Sequence, residues 1–307
     1  MTIRVEWLRG CGTALVTPFT AAGDVDESRF RALVERQLAG GVSLLVPCGT
    51  TGEAATLTDQ EQQRVVALTV ETARGRARVL AGVGSNATAV TIERARAARS
   101  AGANAVLVVA PYYNKPTQTG LLAHFRAVAE AVDDLPVVLY NVPGRTASNI
   151  AAATTLSLAR DQDNIVGIKE ASGDFAQIMA ILRDRPANFR VLSGDDAVTL
   201  PLIALGADGI ISVVSNEVPD LMARLTDLAL RGAWDAARAL HYRLLPLMEA
   251  NFIESNPGPV KAALALMGLV EEQYRLPLVP VQEQTRARLR AALQELGLLP
   301  GAAHAAA

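Results

Sequence analysis

The sequence predicts an α/β fold, a (β/α)8 TIM barrel followed by a C-terminal helical appendage. Short apolar or β-branched runs alternate with longer segments of helical period, which is typical of β/α units. Apolar residues dominate the runs without strict alternation, as expected for parallel strands that are covered on both faces. The eight runs that we assign to strands are residues 13–17, 44–48, 79–83, 105–110, 137–141, 165–169, 190–193 and 209–213.

A helical pattern follows each of the first seven runs before the next strand begins. The clearest helical pattern covers residues 59–74. Thr58 directly precedes it, and Glu61 stands three residues after Thr58, which is the arrangement of a capping box. A doubly wound open sheet is the structural alternative. The glycine fingerprint of a dinucleotide site is missing, which weakens that alternative.

After Asn216 the pattern is helical to about residue 298, roughly two helices more than a minimal barrel needs. We therefore predict a catalytic barrel over residues 1–220 and a helical region over residues 221–300 that packs on it. Residues 301–307 are of low complexity and are predicted to be a disordered tail.

The composition limits the classes of partner and compartment. Hydrophobic residues make up 50% of the chain, charged residues 20%, and the net charge is −2. This balance disfavours nucleic acid and an anionic membrane surface as partners. The N-terminal residues 1–7 carry no apolar signal core, and Cys11 and Cys48 have no metal or redox spacing. A cytoplasmic protein without a membrane anchor is the expectation.

Lysine is rare in this chain, and one lysine has an unusual position. Of 29 basic residues, Lys115, Lys169 and Lys261 are the three lysines. Arginine keeps its proton in proteins, whereas a lysine amine can lose its proton and attack a carbonyl. Lys169 ends the apolar run at residues 165–169, where burial disfavours the charged amine. It is therefore a candidate Schiff-base lysine, although a lysine at a strand end can also reach water or pair with a carboxylate.

The surroundings of Lys169 on its own strand leave space for a substrate. With a period of two, Ile165, Gly167, Lys169 and Ala171 are predicted to share one face, and two of these residues are small. The other two lysines have simpler interpretations. We expect Lys115 to be exposed in a polar loop and Lys261 to tie the helical appendage to the barrel.

The loop after the second predicted strand contains adjacent hydroxyls between glycines, at residues 49–53. The backbone N–H groups there, together with Thr50 and Thr51, are suited to a carboxylate or to a proton relay. A tight turn with a threonine helix cap is the simpler alternative.

Three of the five tyrosines, Tyr112, Tyr113 and Tyr140, follow or end the fourth and fifth predicted strands. A phenol near a threonine hydroxyl can pass a proton, although a rim tyrosine taken alone is more often a packing residue. Arg145, close after the fifth strand, can hold a second carboxylate through two hydrogen bonds.

Metal and hydrolase chemistry are disfavoured by the placement of the histidines. His124, His241 and His304 fall in predicted helices or in the tail rather than at strand ends. We predict neither a metal nor a cofactor. An amine nucleophile, a carboxylate site, a hydroxyl relay and a second carboxylate site together indicate covalent chemistry on a 2-oxo acid.

Six segments, taken in order and spacing, resemble the dihydrodipicolinate synthase family within the pyruvate-dependent class I lyases, a group that includes N-acetylneuraminate lyase. The resemblance covers residues 8–298. The segments are residues 49–53, 112–114, 140–146, 167–170, 193–196 and 256–261.

The resemblance implies condensation of pyruvate with L-aspartate-4-semialdehyde to 4-hydroxy-tetrahydrodipicolinate, the committed step of diaminopimelate and lysine biosynthesis. It implies that Lys169 forms the Schiff base with pyruvate and that Tyr140 donates and accepts protons near the imine. Thr50 would link Tyr140 to Tyr113, which the neighbouring subunit supplies. A dimer is therefore implied as the minimal active unit, and the resemblance implies a homotetramer, because members of the family are usually dimers of dimers.

The resemblance also implies how the substrates bind. Thr51 would hold the pyruvate carboxylate, and Arg145 would meet the carboxylate of the aldehyde. Gly194 and Ile211 would line the pocket with backbone atoms.

Two other functions stay open from the sequence. The first is a related 2-oxo-acid aldolase that acts on sugar-derived acids, as N-acetylneuraminate lyase does. Sialic-acid lyases lack an arginine at the position of Arg145, which favours the synthase. The second is a non-catalytic barrel that binds a metabolite, against which the complete set of reactive residues counts.

Lysine-inhibited members of the family carry an effector site at the dimer interface. The positions that correspond to it here are Ala54, Asp59, Gln62, Asn86 and Val90. Val90 stands where sensitive enzymes place a glutamate that pairs with the effector's ammonium. We therefore predict weak or absent feedback by lysine.

Overall fold

The computed structural model describes residues 5–300. Eight parallel strands pair in chain order, and the last pairs with the first, so that the sheet closes into a barrel. This confirms the predicted fold class and excludes the open sheet. The strands are β1 (Gly10–Ala14), β2 (Leu44–Val46), β3 (Arg78–Gly82), β4 (Ala105–Val109), β5 (Val137–Asn141), β6 (Ile165–Glu170), β7 (Arg190–Ser193) and β8 (Gly209–Ser212).

Helices alternate with the strands and surround the barrel. The predicted capping box is present at the start of the second helix, where Thr58 and Glu61 exchange hydrogen bonds. The helices within residues 5–300 are α1 (Glu27–Ala39), α2 (Asp59–Ala73), α3 (Thr88–Ser100), α4 (Gln118–Ala131), α5 (Pro143–Thr146), α6 (Ala152–Asp161), α7 (Phe175–Asp184), α8 (Thr199–Ala204), α9 (Pro219–Leu230), α10 (Trp234–Ala250), α11 (Gly258–Leu266) and α12 (Glu283–Glu295).

Strand β1 begins three residues before the run from which it was predicted. The reason is the close approach of β1 and β2: a Cβ on Gly12 would lie 2.9 Å from the Cβ of Leu44. Glycine is therefore needed at this position, and it carries no hydrophobic side chain that a sequence pattern can detect.

Two apolar layers hold the strands. Alternate residues such as Leu44 and Leu80 fill the barrel interior, while their neighbours pack outward against the helices. Strand β6 departs from this alternation. Its register against β5 shifts between Val137 and Val138, so that Ile165 packs outward and Val166 inward. The prediction that Ile165 shares a face with Lys169 is therefore wrong, because the irregularity offsets the period of two.

The C-terminal helices pack on the barrel and on one another. Helix α9 spans the predicted boundary at residue 220 and contacts β1 and β8, while α10 contacts α9 and α12. The division into units at residue 220 stays a prediction, and the predicted tail at 301–307 lies outside the described residues. Among the helices of residues 5–300, none is both long and apolar enough to cross a membrane.

A buried ion pair joins the helical region to the barrel. The Nζ of Lys261 on α11 lies 2.5 Å from Oε1 of Glu53, in the loop after β2, and neither side chain is exposed. The amine also lies 4.3 Å from the centroid of the Phe19 ring. The prediction that Lys261 ties the appendage to the barrel is confirmed, and so is the exposure of Lys115.

Candidate active site

Lys169 lies near the C-terminal end of β6 and is 5% exposed. Its register partners are Tyr140 on β5 and Leu192 on β7. The Nζ atom lies 4.5 Å from the centroid of the Tyr140 ring. A flexible amine is thus held against an aromatic face at the end of the barrel where catalytic groups of this fold lie.

Gly194 gives the Lys169 side chain the room that it occupies. A Cβ at Gly194 would lie 2.9 Å from Lys169 Cε and 2.7 Å from Ala171 Cβ. Any larger residue would therefore displace the lysine. Ile211 on β8 is fully buried in the inner apolar layer, which also contains Tyr140 and Leu192.

A polar network fixes the ends of β5 and β6 beside Tyr140 and Lys169. Asn141 donates through Nδ2 to Oε1 of Glu170 over 2.8 Å, and Gln177 donates to the same oxygen over 3.0 Å. Burial raises the pKa of Glu170. Sequence reasoning missed Asn141 and Glu170; the available signal was that each follows a candidate catalytic residue at the end of a buried strand.

A cavity of about 360 Å³ opens at this end of the barrel. Its walls come from the loops after β2, β4 and β5 and from the C-terminal helical region. It brings Thr50, Tyr140 and Arg145 together. Lys169 is not among the residues that line it, but its Nζ lies against the ring of Tyr140, which does. Residues that line the cavity include Thr50, Arg94, Tyr112, Tyr140, Arg145, Asn256 and Leu278.

Thr51 and Arg145 are joined through a residue of the C-terminal region. Thr51 is 2% exposed, and its Oγ1 accepts a hydrogen bond from Asn256 Nδ2 over 3.0 Å. Arg145, exposed on the short helix α5, donates through Nη2 to the backbone oxygen of Asn256 over 3.2 Å. The two predicted carboxylate-binding side chains thus share one partner, which sequence reasoning did not single out.

Tyr113 does not join the other predicted relay residues within one chain. Its side chain is 88% exposed, and its backbone φ is +74°. Tyr113 is not among the residues that line the cavity, whereas its neighbour Tyr112 is. A tyrosine ring exposed to this extent is costly for an isolated chain and suits a contact with another molecule.

No group of three or more potential metal ligands occurs among residues 5–300. His124 and His241 lie on α4 and α10, and His304 lies outside the described part of the chain. Burial lowers the pKa of both helical histidines, that of His124 to about 4.

Of the positions that correspond to the effector site of lysine-inhibited relatives, Ala54 lines the cavity. Gln62 donates through Nε2 to the backbone oxygen of Ala54 over 2.9 Å. Asp59 accepts from Nε of Arg94 over 2.9 Å, and Arg94 itself lines the cavity. Val90 lies on α3, one helical turn before Arg94. The sequence did not indicate that a cation would face this space.

A closed parallel barrel with a buried amine near the C-terminal end of β6 is the arrangement expected of a (β/α)8-barrel enzyme, in which the reactive groups lie at that end of the strands. The model described as the dihydrodipicolinate synthetase family matches residues 7–296. The chain belongs to this family, and the predicted family is confirmed.

Individual relatives agree with this assignment over nearly their full length. The 4-hydroxy-tetrahydrodipicolinate synthase of Koribacter versatilis is 54% identical, over 96% of this chain and 98% of the relative. The crystal structure of dihydrodipicolinate synthase from Thermotoga maritima is 46% identical with a TM-score of 0.93, over 95% of this chain and 99% of that one. A chloride-inhibited synthase from Acinetobacter baumannii, complexed with pyruvate, is 43% identical with a TM-score of 0.92, over 95% and 99%.

Proposed function

We propose that the chain condenses pyruvate with L-aspartate-4-semialdehyde to give 4-hydroxy-tetrahydrodipicolinate, in the biosynthesis of diaminopimelate and lysine. The observation that carries this proposal is the Lys169 amine, buried beside Tyr140 at the end of β6 in a member of this family. The name of the Koribacter versatilis relative supports the same reaction.

Lys169 supplies the nucleophile. Its neutral amine attacks the ketone carbon of pyruvate, and loss of water from the adduct leaves an imine. The imine acidifies the methyl group, which loses a proton to give an enamine. The enamine carbon attacks the aldehyde carbon, whose oxygen takes up a proton and becomes the 4-hydroxyl. The amino group of the second substrate then displaces Lys169 from the imine carbon and closes the ring.

Tyr140 handles the protons in these steps. Its ring lies against the Lys169 amine, which places a phenol near the forming imine. Thr50, which faces the same cavity, links Tyr140 to Tyr113 of the neighbouring subunit. The 88% exposure of Tyr113 supports this role, because the residue is free to reach another chain.

Two further residues bind the carboxylates of the substrates. Thr51 holds the carboxylate of pyruvate, and Arg145 at the cavity holds the carboxylate of aspartate-semialdehyde. Gly194 and Ile211 line the pocket through backbone atoms. The close approach of Gly194 to Lys169 Cε supports its assignment, since the two groups border the same space.

A homotetramer, a dimer of dimers, is the proposed assembly. Tyr113 crosses the tighter interface and completes the relay of the partner. Two further exposed apolar side chains support further assembly: Met179 on α7 is 45% exposed, and Leu205, directly after α8, is 43% exposed. A location in the cytoplasm is proposed as well, which the free thiols of Cys11 and Cys48 support.

The alternative of an aldolase for sugar-derived acids is not favoured by the names of the relatives, nor is a non-catalytic barrel. Measurement of substrate turnover distinguishes the three candidate functions. Purified protein is given pyruvate with either aspartate-semialdehyde or a long polyhydroxylated aldehyde, and product formation is followed in a coupled assay. Turnover of aspartate-semialdehyde alone supports the synthase. Preference for the polyhydroxylated aldehyde, or no turnover of either, contradicts it.

A further inference from the structure

Asn256 lies in the segment between α10 and α11 and is 5% exposed. It is part of the cavity wall. Its side chain donates to Thr51 Oγ1, and its backbone oxygen accepts from Arg145. One residue of the helical region therefore touches both side chains to which carboxylate binding has been assigned.

The direction of the hydrogen bond to Thr51 decides what that hydroxyl can do. A hydroxyl has one proton to donate and two lone pairs to accept with. When Asn256 Nδ2 donates to Oγ1, one lone pair is occupied and the proton stays free. Between residues 5 and 300, Thr51 Oγ1 has no hydrogen bond besides this one. The Thr51 proton is thus available for a carboxylate.

The other amide atom of Asn256 argues against a purely structural role. Its Oδ1 is buried and finds no hydrogen-bond partner among the described residues. A buried acceptor without a partner lowers stability, so an apolar residue of similar size would pack here at less cost. The side-chain amide of Asn256 thus makes a single hydrogen bond among the described residues, and its acceptor is Thr51 Oγ1.

We propose that Asn256 is the positioning residue of the pyruvate subsite: its amide orients the Thr51 hydroxyl as a donor to the substrate carboxylate. The inference rests on the proposed function and deepens it, since it concerns the same site. The contact with Arg145 comes from the backbone of Asn256 and survives a change of its side chain.

Steady-state kinetics of Asn256→Ala and Asn256→Asp test this inference. Loss of the amide is expected to raise the pyruvate KM about ten-fold, the effect of roughly one hydrogen bond to a charged group. The aspartate-semialdehyde KM should change by less than about two-fold, because the hydrogen bond to Arg145 remains. Asn256→Asp keeps the size of the side chain, but a carboxylate can only accept hydrogen bonds. It would accept a hydrogen bond from the Thr51 hydroxyl, which then has no proton left for the substrate, so the pyruvate KM should rise at least as much.

A double-mutant cycle separates positioning from structural support. In a Thr51→Val background no hydroxyl is left to orient, so Asn256→Ala should change the pyruvate KM by less than about two-fold. A second ten-fold rise there would overturn the inference. So would an unchanged pyruvate KM in Asn256→Ala or in Asn256→Asp.

Asn251→Ala is the matched control. Asn251 is a buried asparagine of the same helical region whose amide bonds Glu217 rather than the loop. It should lower the melting temperature and leave the pyruvate KM unchanged. An equal rise of the pyruvate KM in this control would contradict a specific role for Asn256. Absence of pyruvate-dependent turnover in the wild type would overturn the proposed function itself, whereas additive effects in an active enzyme would overturn this inference alone.

Discussion

Lys169 and Tyr140 are register partners on neighbouring strands, and the lysine Nζ lies 4.5 Å from the centroid of the tyrosine ring. The register shift in β6 is what creates this relationship. It offsets the alternation after Val166, so that Lys169 turns to the barrel interior together with Tyr140. The proposed nucleophile and the proposed proton carrier are thus placed by the same irregularity.

Loss of the Tyr113 hydroxyl should slow the reaction without weakening pyruvate binding. Tyr113→Phe removes one member of the proposed relay, and kcat should fall by about 10²-fold, the scale of general acid–base catalysis. The pyruvate KM should stay within about two-fold. Tyr242→Phe, on the exposed face of α10, is the control and should keep full activity. Steady-state kinetics of both variants check this.

The proposed relay across a subunit interface has a second consequence, which mixing of subunits can measure. Mixed dimers of Tyr113→Phe with Lys169→Arg contain one site with an intact lysine and an intact tyrosine from the partner. Activity should therefore reappear after co-refolding or co-expression. If the mixture stays as inactive as its components, Tyr113 does not act in the partner's site.

Arg145 should govern the second substrate and not the first. Arg145→Ala is expected to lower kcat/KM for aspartate-semialdehyde about 10²-fold, because charge-assisted hydrogen bonds to its carboxylate are lost. The reducible imine with pyruvate should still form. Arg183→Ala removes an arginine whose side chain is 75% exposed and pairs with Asp184, and it should have no effect. An equal loss of imine formation in Arg145→Ala would assign the arginine to pyruvate instead.

Lysine should inhibit this enzyme weakly or not at all. The positions of the effector site offer the apolar Val90 where a carboxylate is needed, and the carboxylate of Asp59 is already paired with Arg94 over 2.9 Å. Steady-state rates at increasing lysine should stay constant through the submillimolar range. Val90→Glu adds a carboxylate and should increase the sensitivity. Inhibition of the wild type at submillimolar lysine would contradict the prediction.

Stability should fall in mild acid because of His124. Its Nδ1 lies 2.9 Å from Thr88 Oγ1, its Nε2 is buried without a partner among the described residues, and burial lowers its pKa from 6.5 to about 4. Between these two pKa values the unfolded chain binds more protons than the folded one. The contribution of neutral His124 to the free energy of unfolding is therefore fully present above pH 6.5 and is lost as the pH falls toward 4.

The loss due to His124 amounts to about 2 kcal/mol at pH 5 relative to pH 7. Denaturant unfolding of the wild type and of His124→Gln at both pH values measures it. The variant cannot take up the proton and should lose less stability on acidification. The same pH dependence in both proteins would exclude His124 as the cause.

Much of the fold was predictable from periodicity alone. Strand β5 and strand β7 begin and end where the apolar runs do, because their residues are buried on both faces. The start of β1 was not predictable, since a glycine at position 12 is set by its distance to Leu44 in another strand. The register shift of β6 was not predictable either, because it is a property of two paired strands and not of one sequence segment.

The candidate site was likewise predictable only in part. Lys169 stood out because a lysine is rare in this chain and rarer still in an apolar strand. The proposed role of Asn256 could not be predicted from the sequence, because its hydrogen bond to Thr51 joins residues 205 positions apart in the chain. The proposed contact of Tyr113 with Thr50 involves a second chain, so neither the sequence pattern nor one folded subunit can show it.

The central claim is that the Lys169 amine forms an imine with pyruvate. Borohydride reduction in the presence of pyruvate, followed by intact mass and peptide mapping of wild type and Lys169→Arg, tests it most directly. A single reduced pyruvyl adduct on Lys169 is expected in the wild type and none in the variant. No adduct in the wild type, or an adduct on Lys115 or Lys261, would contradict it.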